Sequence, residues 1–129
     1  MNTLNKTIEQ LEKNKWGEPE FQSHLVVTSH KLRKKKLKDF TVEDLRLMIG
    51  QNIGNQFLIP LAINHLRQDI NSEGDFYPGD LLKSVLKSET SFWESNQNLK
   101  KEVVKILDTQ IDKLIDADDF EEEINFFKK

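Results

Sequence analysis

The sequence predicts a single all-α domain of six to eight helices over residues 1–129. Three observations support this fold class. Apolar residues recur at three- and four-residue spacing along nearly the whole chain. No segment shows the sustained alternation of apolar and polar residues that predicts a β-strand. A chain of 129 residues, 36% of them hydrophobic, has the size of one compact domain and can bury one core.

The first two predicted helices are separated by a break at Gly17 and Pro19. The first helix is short and ends before the break. The second begins near Pro19, because proline is tolerated in a first helical turn, and it runs into a basic segment. The apolar positions that define these helices are Leu4, Ile8 and Leu11 in the first, and Phe21, Leu25, Val26 and Leu32 in the second.

The third helix is predicted to begin after Thr41, a preferred N-cap residue that precedes two carboxylates. Gly50 and Gly54 allow close packing or a left-handed residue at the end of this helix. Asn55 is expected to cap the fourth helix, and Pro60, which has no N–H, is expected to break it early. The apolar positions are Val42, Leu45, Met48, Ile49 and Ile53 in the third helix, and Phe57, Leu58, Leu61, Ile63, Leu66 and Ile70 in the fourth.

The second half of the chain begins with a turn at residues 73–80, where Gly, Asp and Pro favour non-helical backbone. We interpret Phe76 and Tyr77 in this turn as core plugs, with exposed interface anchors as the alternative. A short helix, a loop or single turn at residues 91–95, the longest amphipathic helix and a short final helix follow. Their apolar positions are Leu81, Leu82, Val85 and Leu86; Leu99, Val103, Ile106, Leu107, Ile111, Leu114 and Ile115; and Phe120, Ile124 and Phe127.

The absence of cysteine excludes disulfides and thiolate catalysis, and it suggests a reducing compartment. The N-terminal residues have no apolar signal-peptide core, and the chain has no run of 18 apolar residues. We therefore expect a cytoplasmic protein that neither enters nor contacts a membrane.

No arrangement of residues predicts an enzyme, a cofactor or a metal site. His24, His30 and His65 lack metal-ligand spacing, and no serine or threonine lies in a nucleophile motif. The glycines at 50 and 54 lack a phosphate-loop lysine. The acidic residues 116–123 lack the central glycine of a calcium-binding loop. We predict that the protein is not an enzyme and needs no cofactor.

The net charge of −3 is unevenly distributed along the chain, with eight acidic residues in positions 108–123 against Lys113 alone. Asp108, Asp112 and Asp116 repeat every four residues and are predicted to share one face of the longest helix. Like charges at that spacing destabilise a helix by about 0.2–0.5 kcal/mol per pair. A basic partner that offsets this repulsion is one interpretation, and a solvated helix face is the other.

Residues 31–38 contain six basic residues, which could bind a phosphate backbone by releasing counterions. This segment has no interleaved aromatic residues for base stacking and no recognisable nucleic-acid-binding motif around it. A solvated helix end is the simpler interpretation.

Three segments of the chain carry a family resemblance. They read Trp16-Gly-Glu-Pro-Glu-Phe21, Lys38-Asp-Phe-Thr-Val-Glu-Asp-Leu-Arg-Leu-Met-Ile-Gly-Gln-Asn-Ile-Gly54 and Glu73-Gly-Asp-Phe-Tyr-Pro-Gly-Asp-Leu-Leu82. In this order they resemble the helical CdiI-type immunity proteins of bacterial contact-dependent growth inhibition (CDI) systems, over residues 16 to about 88.

The resemblance implies a small, non-catalytic cytoplasmic protein of bacterial competition. Such a protein binds one cognate toxin domain, the C-terminal domain of CdiA, and we expect a 1:1 complex. Several toxins of these systems are ribonucleases, which agrees with the acidic bias of this chain. A nucleic-acid-cleaving toxin needs positive charge to hold phosphate, and an acidic inhibitor can complement that charge.

The resemblance carries over no contact residue, so charge clustering supplies the site hypothesis. We predict an acidic surface that covers the basic active-site cleft of a toxin, and we expect this toxin to be a ribonuclease; no direct contact with nucleic acid is expected. The alternatives are a nucleic-acid-binding regulator that uses residues 31–38 and a helical scaffold for a protein other than a toxin. The predicted toxin-binding residues are Asp108, Asp112, Asp116, Asp118, Asp119, Glu121 and Glu122 in a first patch, and Glu73, Asp75, Tyr77 and Asp80 in a second.

Overall fold

The predicted fold class is confirmed by a computed structural model, which describes residues 3–19 and 23–129. These residues form eight α-helices and four short 3₁₀ helices, and their only strand-like pairing is one antiparallel bridge between Thr7 and Lys36. The α-helices are α1 (Ile8–Glu12), α2 (His24–Leu32), α3 (Val42–Gly50), α4 (Asn55–Gln68), α5 (Asp80–Leu86), α6 (Thr90–Ser95), α7 (Gln97–Gln110) and α8 (Glu121–Lys128). The 3₁₀ helices are Thr3–Asn5, Leu37–Asp39, Ile111–Lys113 and Ala117–Phe120.

The core lies where α3, α4 and α5 pack against one another, with α7 on α4 and α8 on α5. Met48, Ile59 and Leu81 supply fully buried side chains from the three central helices. On α6, Trp93 is buried and contacts the Phe127 ring of α8 edge to face, with ring centroids 4.9 Å apart. The single core therefore joins helices from both halves of the chain.

The buried Arg33 side chain, at the end of α2, binds α1 and the segment that follows α1. Its guanidinium donates hydrogen bonds to the Glu12 carboxylate and the Asn14 carbonyl oxygen. The same group lies 4.2 Å from the centre of the Trp16 ring, and that ring contacts the His30 ring at 4.9 Å. The Arg33 guanidinium thus binds the N-terminal segment in two ways, through hydrogen bonds from its N–H groups and through a cation–π contact with the Trp16 ring.

The predicted start of α3 is confirmed in detail. The Thr41 hydroxyl accepts a hydrogen bond from the Asp44 N–H at 3.1 Å, and the Asp44 carboxylate accepts one from the Thr41 N–H at 3.1 Å. These reciprocal bonds satisfy backbone donors that the first turn leaves unpaired.

The predicted start of α2 near Pro19 is wrong. Ser23 has extended backbone, its hydroxyl accepts a hydrogen bond from the Val26 N–H at 3.2 Å, and the helix begins at His24. A side-chain cap therefore decides this boundary, because the Ser23 hydroxyl satisfies an N–H group that the first turn of the helix leaves unpaired. Phe21, predicted to belong to this helix, lies outside the described residues.

Two predictions about α4 are also wrong. Gly54 occupies the N-cap position with φ at +70°, and Asn55 is the first helical residue, without a side-chain cap. The left-handed backbone explains the glycine, because a Cβ there would lie 2.8 Å from the Ile8 Cδ1 atom. The helix also runs through Pro60 to Gln68 without an early break, since buried residues on both sides of the proline pack into the core.

The longest predicted helix ends earlier than expected, at Gln110. The Asn71 side chain donates to the Lys113 carbonyl oxygen at 2.8 Å and accepts from the Ile115 N–H at 2.8 Å, so these backbone groups have tertiary partners in place of helical ones. Asp116 then adopts left-handed backbone with φ at +54°. The prediction that Asp108, Asp112 and Asp116 share one helical face is therefore wrong.

Candidate functional site

The acidic residues that follow α7 form an exposed segment, which we call the C-terminal acidic strip. Within the described parts of the chain, none of its carboxylates lies in a salt bridge. Asp108 differs, because Lys128 binds its carboxylate at 2.6 Å. The strip therefore presents a surplus of negative charge to solvent. Its members are Asp112, Asp116, Asp118, Asp119, Glu121 and Glu122.

Glu123 borders the strip but is half-buried and occupied by Lys83, whose Nζ lies 3.3 Å from the carboxylate. Burial alone would raise the pKa of Glu123. The hydrogen bonds from its own backbone N–H and from Lys83 outweigh burial, so that the pKa is lowered. Glu123 is thus an anchor for α5 rather than a free surface charge.

The loop at residues 73–79 packs directly beside the acidic strip. Phe120 packs closely against this loop at Gly79. A Cβ atom at that glycine would lie only 2.7 Å from the Phe120 Cζ atom. Tyr77, Asp116 and Asp119 line one hollow of about 390 Å³. The structure therefore brings one residue of the second predicted patch next to two residues of the first.

Asp80, predicted as a surface contact, is buried with only 3% of its area exposed. Its carboxylate accepts hydrogen bonds from the Gly74 N–H at 2.7 Å and the Phe76 N–H at 3.1 Å. Burial of a carboxylate is tolerated where its oxygens accept such bonds. Asp80 therefore shapes the loop from within, whereas Glu73, Asp75 and Tyr77 are exposed.

A second carboxylate, Glu43 of α3, supports the same loop from below. It accepts two hydrogen bonds from Arg46, both at 2.6 Å, and one from the Asp75 N–H at 2.9 Å. The bond from Arg46, together with that from Asp75, lowers the pKa of Glu43 against the opposing effect of burial. The same ion pair raises the pKa of Arg46. Both groups are therefore charged throughout the neutral range.

The interpretation of Phe76 and Tyr77 as core plugs is wrong. The alternative interpretation is confirmed in one respect, since both side chains are exposed. Phe76 is 66% exposed and Tyr77 is 42% exposed. The space beneath the turn is already filled by Phe120 and Leu114, which lie against Gly79. The two rings are consequently displaced to the surface.

An open groove of about 350 Å³ runs beside these rings. It is lined by Arg46 of α3, Lys83 of α5 and Lys87, which directly follows α5. Lys87 also lines a neighbouring hollow next to Phe126 and Glu122 of α8. Sequence reasoning missed these groove residues. The spacing of Glu43 and Arg46 could have indicated their ion pair, but no local signal placed Lys87 or Phe126 near the loop.

The basic residues 31–38 do not form a continuous cationic face. The α-helix ends at Leu32, Arg33 is buried, and the Lys35 Nζ is paired with the Asp44 carboxylate at 2.6 Å. The remaining lysines are exposed on the last turn of α2, on the segment that follows it and on the 3₁₀ helix. This dispersal weakens the nucleic-acid alternative, because phosphate binding depends on clustered charge. The exposed lysines are Lys31, Lys34, Lys36 and Lys38.

Neither a metal centre nor a membrane segment is found in the parts of the chain that the structure describes. No group of three or more His, Asp or Glu side chains in residues 3–19 and 23–129 is arranged to hold a metal ion. Of the helices in these same ranges, none combines the length and apolar character needed to cross a bilayer.

Exposed aromatic residues are enriched at protein–protein interfaces, and this pair lies on a small all-α fold. A family model described as CDI immunity proteins matches residues 10–103, well over half of the chain, and the chain belongs to this family. No curated protein and no solved structure matches the chain.

The predicted family is thus confirmed, and with it the general role of an immunity protein against a CDI toxin. Family membership implies a cognate toxin as the binding partner. The match includes the loop at residues 73–79 and the α3–α5 groove, but it ends before the acidic strip. The Glu43, Arg46 and Asp80 side chains that hold the loop therefore lie within the match, whereas Phe120 and Leu114 lie outside it.

Proposed function

We propose that this protein neutralises the C-terminal toxin domain of a cognate CdiA in the cytoplasm by forming a 1:1 complex that covers a basic active-site cleft. The toxin is a ribonuclease in this proposal, and inhibition results from occupancy without any reaction catalysed by the immunity protein. The observation that carries the proposal is the exposed C-terminal acidic strip on a chain of the CDI immunity family.

The charge of the strip supports a basic partner. A ribonuclease holds its substrate with Lys and Arg side chains, and such a cleft attracts an acidic surface. Attraction of this kind accelerates association more than it slows dissociation, and it weakens as salt is added. Asp108 contributes less than the other members of the predicted first patch, because Lys128 already neutralises it.

The neighbouring loop extends the proposed surface. Glu73 and Asp75 add negative charge, and Tyr77 lies in the same hollow as Asp116 and Asp119. Asp80 acts indirectly in this proposal, by holding the loop backbone. The combined surface includes residues separated by about forty positions in the chain.

The proposal is tested by reversing three strip charges, with the substitutions Asp112→Lys, Asp118→Lys and Asp119→Lys in one variant. None of these residues has left-handed backbone, so a changed fold is not expected. We expect the affinity for the toxin at low salt to fall about tenfold or more, mainly through the association rate, and its salt dependence to flatten. Titration calorimetry and stopped-flow mixing at several salt concentrations measure both quantities.

A matched control reverses three exposed carboxylates in other segments, Glu18, Asp39 and Glu94. Its affinity and salt dependence are expected to stay close to those of the parent chain. Unchanged binding by the strip variant would show that the acidic surface is not the contact. An RNA-cleavage assay of the purified toxin, with and without the parent chain, tests the ribonuclease assignment separately.

A further inference from the structure

Phe76 and Tyr77 are neighbouring aromatic residues held at the surface of a loop that the core does not need for packing. They are 66% and 42% exposed, and the turn beneath them is filled by Phe120 and Leu114. Aromatic side chains of this kind supply much of the binding energy in protein interfaces. Two such side chains exposed next to each other are therefore suited to anchor a protein partner.

The position of the Phe76 ring is fixed although the ring faces solvent. The Arg46 guanidinium lies 4.4 Å from the ring centre, and Glu43 holds that guanidinium through two hydrogen bonds of 2.6 Å. The Phe76 N–H is bound to the Asp80 carboxylate at 3.1 Å. The ring is thus supported at its face and at its backbone.

The backbone around the two rings is held equally well. The Asp75 N–H donates to Glu43 at 2.9 Å, the Gly74 N–H donates to Asp80 at 2.7 Å, and the Asp80 N–H donates to the Tyr77 carbonyl oxygen at 3.0 Å. A loop that is already ordered loses little conformational entropy on binding. This loop therefore has the preorganisation expected of a binding anchor.

The surfaces on the two sides of the rings differ in charge. The groove on one side is lined by Arg46, Lys83 and Lys87. Glu43 pairs with Arg46, and Glu123 pairs with Lys83, whereas Lys87 has no salt bridge with any residue in the described ranges. The hollow next to Tyr77 shares Lys83 with the groove but adds the strip carboxylates Asp116 and Asp119.

We propose that Phe76 and Tyr77 are the hot spot of the toxin interface and that Lys87 receives a toxin carboxylate in the groove beside them. This inference rests on the proposed function and assigns the chemistry of the partner surface. The toxin presents an apolar pocket for the two rings, a carboxylate on the Lys87 side and basic residues on the side of the acidic strip. Charges of both signs then fix the orientation of the complex.

The experiment uses the full chain and the purified toxin domain, with the variants Phe76→Ala, Tyr77→Ala and Lys87→Glu. We expect each aromatic variant to raise Kd about tenfold or more, mainly through faster dissociation, with the salt dependence unchanged. We expect Lys87→Glu to weaken binding as well, and a toxin variant with the facing carboxylate replaced by lysine to restore it. Thermal melts establish that every variant is folded.

Leu25→Ala is the matched control, because Leu25 is 40% exposed on α2, away from the groove. Its affinity should remain within about threefold of the parent value. Normal binding by both aromatic variants, with binding still lost in the acidic-strip variant, would overturn this inference and leave the proposed function intact. An absence of toxin binding by the parent chain would overturn both. A parent chain that forms dimers through Phe76 alone, with unchanged toxin affinity, would assign the rings to a second copy and overturn the inference.

Discussion

At the residue scale, three charged side chains determine the shape of the loop at residues 73–79. Glu43 and Asp80 together accept hydrogen bonds from the N–H groups of three consecutive loop residues, 74 to 76, and Arg46 lies between the two carboxylates. Hydrogen bonds to charged groups contribute about 1.5–3 kcal/mol each. The loop is therefore organised by polar contacts and not by burial of its own aromatic residues.

The Glu43 carboxylate should make stability depend on pH in the acid range. The hydrogen bond from Arg46 holds the pKa of Glu43 below its usual value of 4.5 in the folded state. Between the two pKa values the unfolded chain binds more protons, so the free energy of unfolding rises with pH there. We expect this contribution to be complete above about pH 4.5 and to be lost as the pH falls through the folded-state pKa. Urea unfolding at a series of pH values measures it.

Glu43→Gln should reduce stability at neutral pH by about 1–2 kcal/mol and remove that part of the pH dependence. Glu102→Gln is the control, because its partner Arg67 and the carboxylate itself are both largely exposed. That variant should change stability by less than about 1 kcal/mol. Identical acid-range profiles for the parent chain and Glu43→Gln would contradict the assigned role of this carboxylate.

At the element scale, the junction between the loop and α5 depends on Gly79. This residue has φ at +88°, and a Cβ on it would lie 2.7 Å from Phe120 Cζ. Alanine is disfavoured there by both the backbone conformation and the contact. We expect Gly79→Ala to lower the free energy of unfolding by about 2 kcal/mol or more, as measured by urea titration.

Gly17→Ala is the control for this prediction, because no atom lies within 4 Å of a Cβ at that position. It should change stability by less than about 0.5 kcal/mol. Equal effects of the two substitutions would show that Gly79 is not held by the packing described.

Some element boundaries were predictable from local contacts, although the start of α2 was missed despite its local Ser23 cap. The start of α3 follows from Thr41 and Asp44, which lie three residues apart, and α5 and α8 follow from short apolar patterns. The end of α7 was not predictable, because Asn71 binds backbone groups more than forty positions away. A periodic pattern cannot report a competing hydrogen-bond partner in another part of the chain.

At the scale of the whole molecule, the N-terminal segment contacts the turn at Gly54, the end of α2 and the 3₁₀ helix Leu37–Asp39. Ile8 packs against the Gly54 turn, the Glu9 N–H donates to the Arg33 carbonyl oxygen at 3.0 Å, and the Arg33 side chain binds Glu12 and Asn14. A terminal segment opens independently of the core when its attachments are weakened. The Arg33 side chain is one of these attachments, because it binds both α1 and the segment after it.

Arg33→Met should therefore raise amide hydrogen exchange in α1 about tenfold while exchange in α4 changes little. Arg67→Met provides the comparison, because Arg67 forms its salt bridge with Glu102 at the surface of α4 and α7. Hydrogen exchange followed by mass spectrometry distinguishes the two variants. Equal acceleration in all helices of Arg33→Met would show that α1 opens only with global unfolding.

The sequence by itself determined the all-α class and the turn at residues 73–80, because spacing, capping and turn residues act over a few positions. The CDI immunity family was indicated separately, by the resemblance of three segments to known proteins. Only the tertiary structure decided that Asp80 is buried, that Phe76 and Tyr77 are exposed, and that this turn lies beside the acidic strip. Those outcomes depend on residues distant in the chain, which fill the space beneath the turn or bind its backbone N–H groups. Phe120 fills the space beneath Gly79, and the rings of the turn are left at the surface.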